Sequence, residues 1–248
     1  MMNRFLKLLI WGLFFCGISS CSNSAQQEKQ VQVTIFNAMQ NKLKAEFSSG
    51  NSGSKEEMTA PPVSNSGYDN FSPAVYRLKL WSNDKALLEK KIGLAANEKY
   101  TAIIYGRPDF QRQVNQSNFT HKMHYVFQGS ENYTKNGFLP GMILFRDQVK
   151  LHKGYCQIRV FHAAAGFSPV TVKLKGPQKT KKLISALAYP RPMQGKTISS
   201  GEKEVQLFLK GAPEALLSKS FSFEEKKVYT IIICAVYGKL DFKILEAR

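Results

Sequence analysis

The residues that could do chemistry are few and widely spaced. The chain carries 4 cysteines and 4 histidines. His121 and His124 stand three apart, a spacing that shares one face of a helix but points to opposite faces of a strand. The Gln- and Asn-rich segment around them, Phe110 to Gly137, reads as loop with at most a short strand. No cysteine or carboxylate lies at ligand spacing and no His-Glu-x-x-His run occurs, so no metal site is expected. His162 stands where a strand should end and reads as a turn-fixing residue that bonds backbone groups. No Gly-x-Ser-x-Gly elbow is present. Carboxylates are sparse and offer no acid/base pair. Gly176-Pro177 and Gly211-Ala212-Pro213 are turns rather than phosphate loops. No catalytic residue and no cofactor is therefore expected.

Two side-chain sets remain. Cys156 opens one strand and Cys234 lies late in another of the same half. They are either a disulfide pair or two buried small apolar residues, and the first half of the chain has no such pair. The second set is basic. Lys and Arg number 35 against 18 Asp and Glu, a formal net charge of +17. Between Asp147 and Glu202 there is no acidic residue. Alternation along Val170 to Lys175 sends Val170, Val172 and Leu174 to a core and Thr171, Lys173 and Lys175 to solvent. Lys179, Lys181 and Lys182 follow in what reads as a turn. These five lysines are the candidate polyanion-binding residues, with plain solvated surface as the other reading.

The N-terminus resembles that of bacterial lipoproteins. A positive segment to Lys7 precedes the apolar run Leu8 to Cys16, which is too short to span a bilayer. Ile18-Ser19-Ser20-Cys21 then matches the lipobox of that family: one aliphatic residue, two small ones, and the cysteine. The resemblance implies a signal peptide over residues 1–20, lipidation of Cys21, and a lipid anchor in the membrane. Ser22, where an Asp would favour the inner membrane, implies the outer membrane. Residues 21–30 lack apolar periodicity and read as an acylated, flexible tether.

The elements that must position these groups come in two copies. Leu78 to Ile104 aligns without a gap on Leu207 to Ile233, and Ile35-Phe36-Asn37-Ala38 matches Val160-Phe161-His162-Ala163. Val31 to Phe36, Val75 to Trp81, Leu87 to Leu94, Met142 to Phe145, Cys156 to Ala163, Val170 to Leu174, Leu183 to Tyr189, Val205 to Leu209, Phe221 to Phe223 and Phe242 to Leu245 read as strands. Tyr100 to Tyr105 and Tyr229 to Val236 are almost wholly apolar and should be central strands covered on both faces. Tyr100 and Tyr229 should tie their hydroxyls to nearby backbone. Ser48 to Tyr68 reads as a loop, and Pro190 and Pro192 should end the strand before them.

The second copy resembles the domain of unknown function 4397 family. The residues are Arg159-Val160-Phe161-His162-Ala163, Phe167-Ser168-Pro169-Val170-Thr171-Val172 and Leu187-Ala188-Tyr189. Ala164 and Gly166 depart from that family's spacing. The resemblance implies an immunoglobulin-like sandwich, tandem occurrence in secreted and envelope proteins, and no catalytic residues. The fold expected is all-β: two tandem immunoglobulin-like β-sandwich domains after a signal peptide and tether. The first spans 31–149 with an insertion near 111–137, the second 155–248. The function expected is a non-enzymatic envelope lipoprotein, a binding or scaffolding module for anionic lipid or polysaccharide. An envelope polymer hydrolase with an unrecognised site is the alternative. Nucleic acid is not an expected partner, since no aromatic-basic RNA motif is present.

Overall fold

The computed structural model describes residues 30–50, 55–109 and 137–247. The expected signal peptide, Cys21, nearly all of the expected tether, and the expected insertion with His121 and His124 lie outside the described residues.

Sixteen strands follow one another, with no helix among the described residues. The first eight are β1 (Val31–Asn37), β2 (Leu43–Ser49), β3 (Lys55–Ala60), β4 (Ser64–Phe71), β5 (Ala74–Ser82), β6 (Lys85–Leu94), β7 (Lys99–Tyr105) and β8 (Gly141–Arg146). The second eight are β9 (Tyr155–His162), β10 (Val170–Lys175), β11 (Thr180–Leu187), β12 (Pro192–Ser199), β13 (Gly201–Leu209), β14 (Leu217–Phe223), β15 (Val228–Val236) and β16 (Lys239–Ala247). They form four four-stranded sheets, ordered β3-β2-β5-β6, β4-β1-β7-β8, β12-β9-β15-β16 and β11-β10-β13-β14. Adding eight to each strand number of the first two sheets gives the last two. The expected all-β class, as two tandem β-sandwiches, is what the structure shows.

The register repeats as well. Val33 pairs with Tyr100 on the parallel β1/β7 pair, and Ile158 pairs with Tyr229 on the parallel β9/β15 pair. Each sandwich has its own apolar core. Val33, Ile35, Phe47, Leu78, Leu80 and Ile104 belong to the first; Ile158, Val160, Val172, Leu207, Ile231 and Ile233 belong to the second. The tyrosines behave alike in both copies. Tyr100 Oη accepts from the Ala95 amide at 3.2 Å, and Tyr229 Oη accepts from the Glu224 amide at 2.9 Å.

The wholly apolar strands have a specific cause. Alternate residues of β7 and β15 face their own cores, and the others meet each other. Phe36, Ala38 and Ile103 from the first copy pack with Phe161, Ala163, Ile232 and Cys234 from the second in a third apolar cluster. The four sheets thus stack as layers, with the two inner ones face to face. One buried ion pair crosses this seam. Arg159 Nη2 donates to Asp147 Oδ1 at 2.6 Å, and Thr101 Oγ1 donates to Asp147 Oδ2 at 2.7 Å. The Arg159 guanidinium also lies 4.7 Å from the Phe145 ring centroid.

Several expectations needed correction. The Ser48–Tyr68 stretch is not a loop: most of it forms β3 and β4, with Met58, Ala60 and Phe71 buried beneath a polar outer face. Its Gly, Ser and Asn content suits edge strands, which is where both lie. Pro192 does not close a strand but opens β12, the first position at which a proline costs no ladder bond. Neither β2 nor β12 is among the strands that the sequence pattern predicts.

Candidate anion-binding surface

The chemistry available lies on the second copy's outer sheet. Val170, Val172 and Leu174 are buried in the core, and Lys173 and Lys175 point away from it. Lys181 and Lys182 lie on β11 rather than in a turn, and only Lys179 precedes that strand. Antiparallel pairing sets Lys182 directly opposite Lys173 and Lys181 opposite Leu174. Like charges facing each other across a strand pair destabilise it. Lys173 relieves part of that by lying over the Phe208 ring, with Nζ 4.0 Å from the centroid.

The surface is less free of acid than the sequence stretch implies. Glu204 on the neighbouring β13 reaches Lys175 at 3.5 Å. Ser218 Oγ and the Lys175 ammonium hold the Glu204 carboxyl below the usual carboxylate range. Lys196 Nζ donates to the Leu183 carbonyl at 2.5 Å and ties edge strand β12 to edge strand β11. Lys179, Lys181 and Lys182 make no salt bridge among the described residues.

A cleft of about 640 Å³ opens at one end of the second sandwich. Its floor is Leu174 and Ile198, and its walls are Gly176 to Lys181, Thr197, Ser199, Tyr155 and Lys203. Three lysines, Lys179, Lys181 and Lys203, border it, and no carboxylate does. Lys203 Nζ donates to the Ser200 carbonyl at 3.2 Å, and Tyr155 keeps 48% of its surface exposed. Sequence reading missed Lys203 and Tyr155. They stand 22 and 26 positions from Lys181 in the chain (203 − 181, 181 − 155), and only the packing of β9 and β13 brings them to it.

The cysteines do not form a bridge. Both are free and buried. Gln157 pairs with Val228 and His162 with Ile233, so Cys156 and Cys234 lie beyond opposite ends of the same parallel ladder. Seven residues of strand separate the two levels, roughly 23 Å at ~3.3 Å per residue, far beyond disulfide reach. They also face opposite ways, Cys156 into the second core and Cys234 into the seam. Burial pushes the thiols up to about 11 and about 12.

His162 is wholly buried at the end of β9. Its Nε2 lies 3.3 Å from the Ser168 carbonyl, across the turn that leads into β10. Burial pulls its pKa down to about 4. Asn37 holds the matching place in the first copy and bonds the Asn41, Ala60 and Pro61 carbonyls. Among the described residues, no three His, Cys, Asp or Glu side chains gather as metal ligands would.

No family model and no curated protein matches the chain. Among solved structures, the tip fimbrial protein Mfa3 of Porphyromonas gingivalis is 9% identical, covers 88% of this chain and 98% of its own, and gives a TM-score of 0.27. A candidate cell adhesion protein of Parabacteroides distasonis is 8% identical over 88% of this chain and 98% of its own, with a TM-score of 0.26. Another, from Bacteroides fragilis, is 10% identical over 85% and 84%, with a TM-score of 0.23.

Proposed function

We propose that the protein is a non-enzymatic cell-envelope module, held to the outer membrane by lipid on Cys21, that binds anionic envelope material. The observation that carries the reading is the lysine pair Lys173 and Lys182, facing each other on neighbouring strands beside Lys175, with Lys181 on the other face of the sheet level with Leu174. Such an arrangement works against the sheet's own stability, and an anionic ligand converts it into a favourable one. The lipobox residues Ile18 to Cys21 support the anchor. One acyl chain holds only weakly to a bilayer and two or more hold durably, so a lipidated Cys21 would keep the basic sheet close to a membrane. The tandem repeat of β-sandwiches fits a binding or scaffolding part.

Co-sedimentation of the unlipidated protein, expressed from Ser22 onward, with phosphatidylglycerol and phosphatidylcholine vesicles tests the reading. The wild type should pellet with the anionic vesicles, and the variant Lys173→Gln/Lys175→Gln/Lys181→Gln/Lys182→Gln should pellet less while keeping its unfolding midpoint, because exposed charges contribute little stability. Equal pelleting of the two proteins would reduce the lysines to solvated surface. The anchor is tested separately by metabolic labelling with an alkynyl fatty acid. Label that persists after Cys21→Ala would place the lipid elsewhere.

A further inference from the structure

We infer that the cleft bordered by Tyr155, Lys179, Lys181 and Lys203 is a subsite for the phosphate-bearing headgroup of the membrane that anchors the chain. This rests on the lipid-anchored reading above and gives it a specific site.

The first argument is the lining. A lysine ammonium is a compact point charge that binds phosphate, and three lysines border the cleft with no carboxylate among the lining residues. The hydroxyls of Thr180, Thr197 and Ser199 add donors that a glycerol or sugar headgroup can use. A volume of about 640 Å³ lies within the ~300–1,000 Å³ of small-ligand sites. Leu174 and Ile198, both buried, give it an apolar floor.

The second argument is placement. Asp147 receives Arg159 of β9 and its amide bonds the Lys99 carbonyl at the start of β7. Tyr105, at the far end of β7, stacks on Phe161 near the far end of β9, with centroids 5.1 Å apart. Parallel pairing sets β1 beside β7 in one sheet and β15 beside β9 in the other. The starts of β1, β7, β9 and β15 therefore lie at one end of the stack. Tyr155, the first residue of β9, puts the cleft at that same end. Gln30, where the tether joins β1, is there too, its carbonyl accepting from the Asn97 amide at 3.0 Å.

The join at Gln30 then favours one end. Ten residues, Cys21 to Gln30, reach at most about 33–36 Å even fully extended, and the opposite end of the sandwich lies one strand length further off, roughly 26 Å for the eight residues of β9. An anchor on Cys21 therefore brings the cleft end to the headgroup layer more readily than the opposite end.

Lysine acetylation footprinting by mass spectrometry reads each ammonium separately. The full chain is labelled on phosphatidylglycerol vesicles, on phosphatidylcholine vesicles, and in neutral micelles with inorganic phosphate. With accessible anionic lipid ten times above Kd, Lys179, Lys181 and Lys203 should react about tenfold more slowly than on phosphatidylcholine. Lys90 and Lys91 on β6 should react equally in both. Protection confined to Lys173, Lys175 and Lys182 would keep the anionic-material reading and overturn the cleft. Equal reactivity of every lysine, with no vesicle binding, would overturn both. Full protection by inorganic phosphate alone would show a free-phosphate site and overturn the headgroup assignment.

Discussion

The seam between the sandwiches makes a quantitative demand on one ion pair. The Arg159 and Asp147 side chains keep only 6% and 1% of their surface exposed. The Asp147 carboxylate accepts from Arg159, from Thr101 and, at 3.2 Å, from Tyr68. Removing one partner strands the other charge out of water, which costs about 3–5 kcal/mol. Domains of this size unfold with ~5–15 kcal/mol, so either single change should take a large share of the total. The repeat supplies the control. Thr34 pairs with Thr101 as Arg159 pairs with Thr230, and Arg146 pairs with Tyr100 as Glu246 pairs with Tyr229. Thr34 and Ala247 are thus the counterparts of Arg159 and Asp147. Arg159→Thr and Asp147→Ala should each lower stability by about 3–5 kcal/mol. The double variant should be no worse than the poorer single, a coupling of at least ~3 kcal/mol, at the upper end of the range known for residues that touch. Urea unfolding of the full chain with a shared m-value measures all four corners of the cycle. Additive losses would show that the pair does not act as a unit across the seam.

Three further outcomes follow. His162 has a folded pKa near 4 against an ordinary 6.5, so the unfolded chain binds the extra proton between those values. Stability is present above 6.5, falls on acidification to 4, and loses about 3 kcal/mol from this group at ~1.4 kcal/mol per unit. His162→Asn, which installs the first copy's residue, should remove that share of the slope; an unchanged urea midpoint against pH would refute the assignment. Tyr100→Phe and Tyr229→Phe should each cost about 0.5–1.5 kcal/mol for one lost hydroxyl bond, read by thermal unfolding, and a loss confined to one copy would break the structural equivalence. Cys156 and Cys234 should resist iodoacetamide in the native protein and react once it is unfolded; a peptide map that recovers them as one disulfide-linked pair would contradict their placement.

The repeat was legible because the copies keep Tyr100 and Tyr229, Leu78 and Leu207 at matched positions, and matched burial follows from matched pairing. The fully apolar β7 and β15 showed that both faces are covered. What covers the second face was not legible, because an apolar face carries no label for its partner, and here the partner is the other copy. Gapless alignment also did not ensure identical pairing. Leu80 pairs with Leu88 in the first copy, and the matching Leu209 would pair with Leu217, yet Leu217 pairs with Leu207. Asn83 and Asp84, both at positive φ, close the first hairpin in two residues. The second carries Pro213, which cannot donate to a ladder, and the pairing slides by two residues, which keeps every side chain on its face. The candidate site was half legible. Adjacent lysines on β10 and β11 show in the sequence, whereas Tyr155, Lys203 and the screening Glu204 arrive from other strands.

The central claim is that charge on the β10–β11 surface and its cleft binds anionic envelope material. The most direct measurement is the fraction of unlipidated protein, expressed from Ser22 onward so that only the surface charge can bind, that is held by phosphatidylglycerol vesicles as salt is raised. Screening shortens from ~10 Å at 0.1 M to ~3 Å at 1 M. The account predicts binding that falls steeply over that range in the wild type and is weak and nearly flat in the Lys173→Gln/Lys175→Gln/Lys181→Gln/Lys182→Gln variant. Binding that ignores salt, or that falls equally in both proteins, would contradict it.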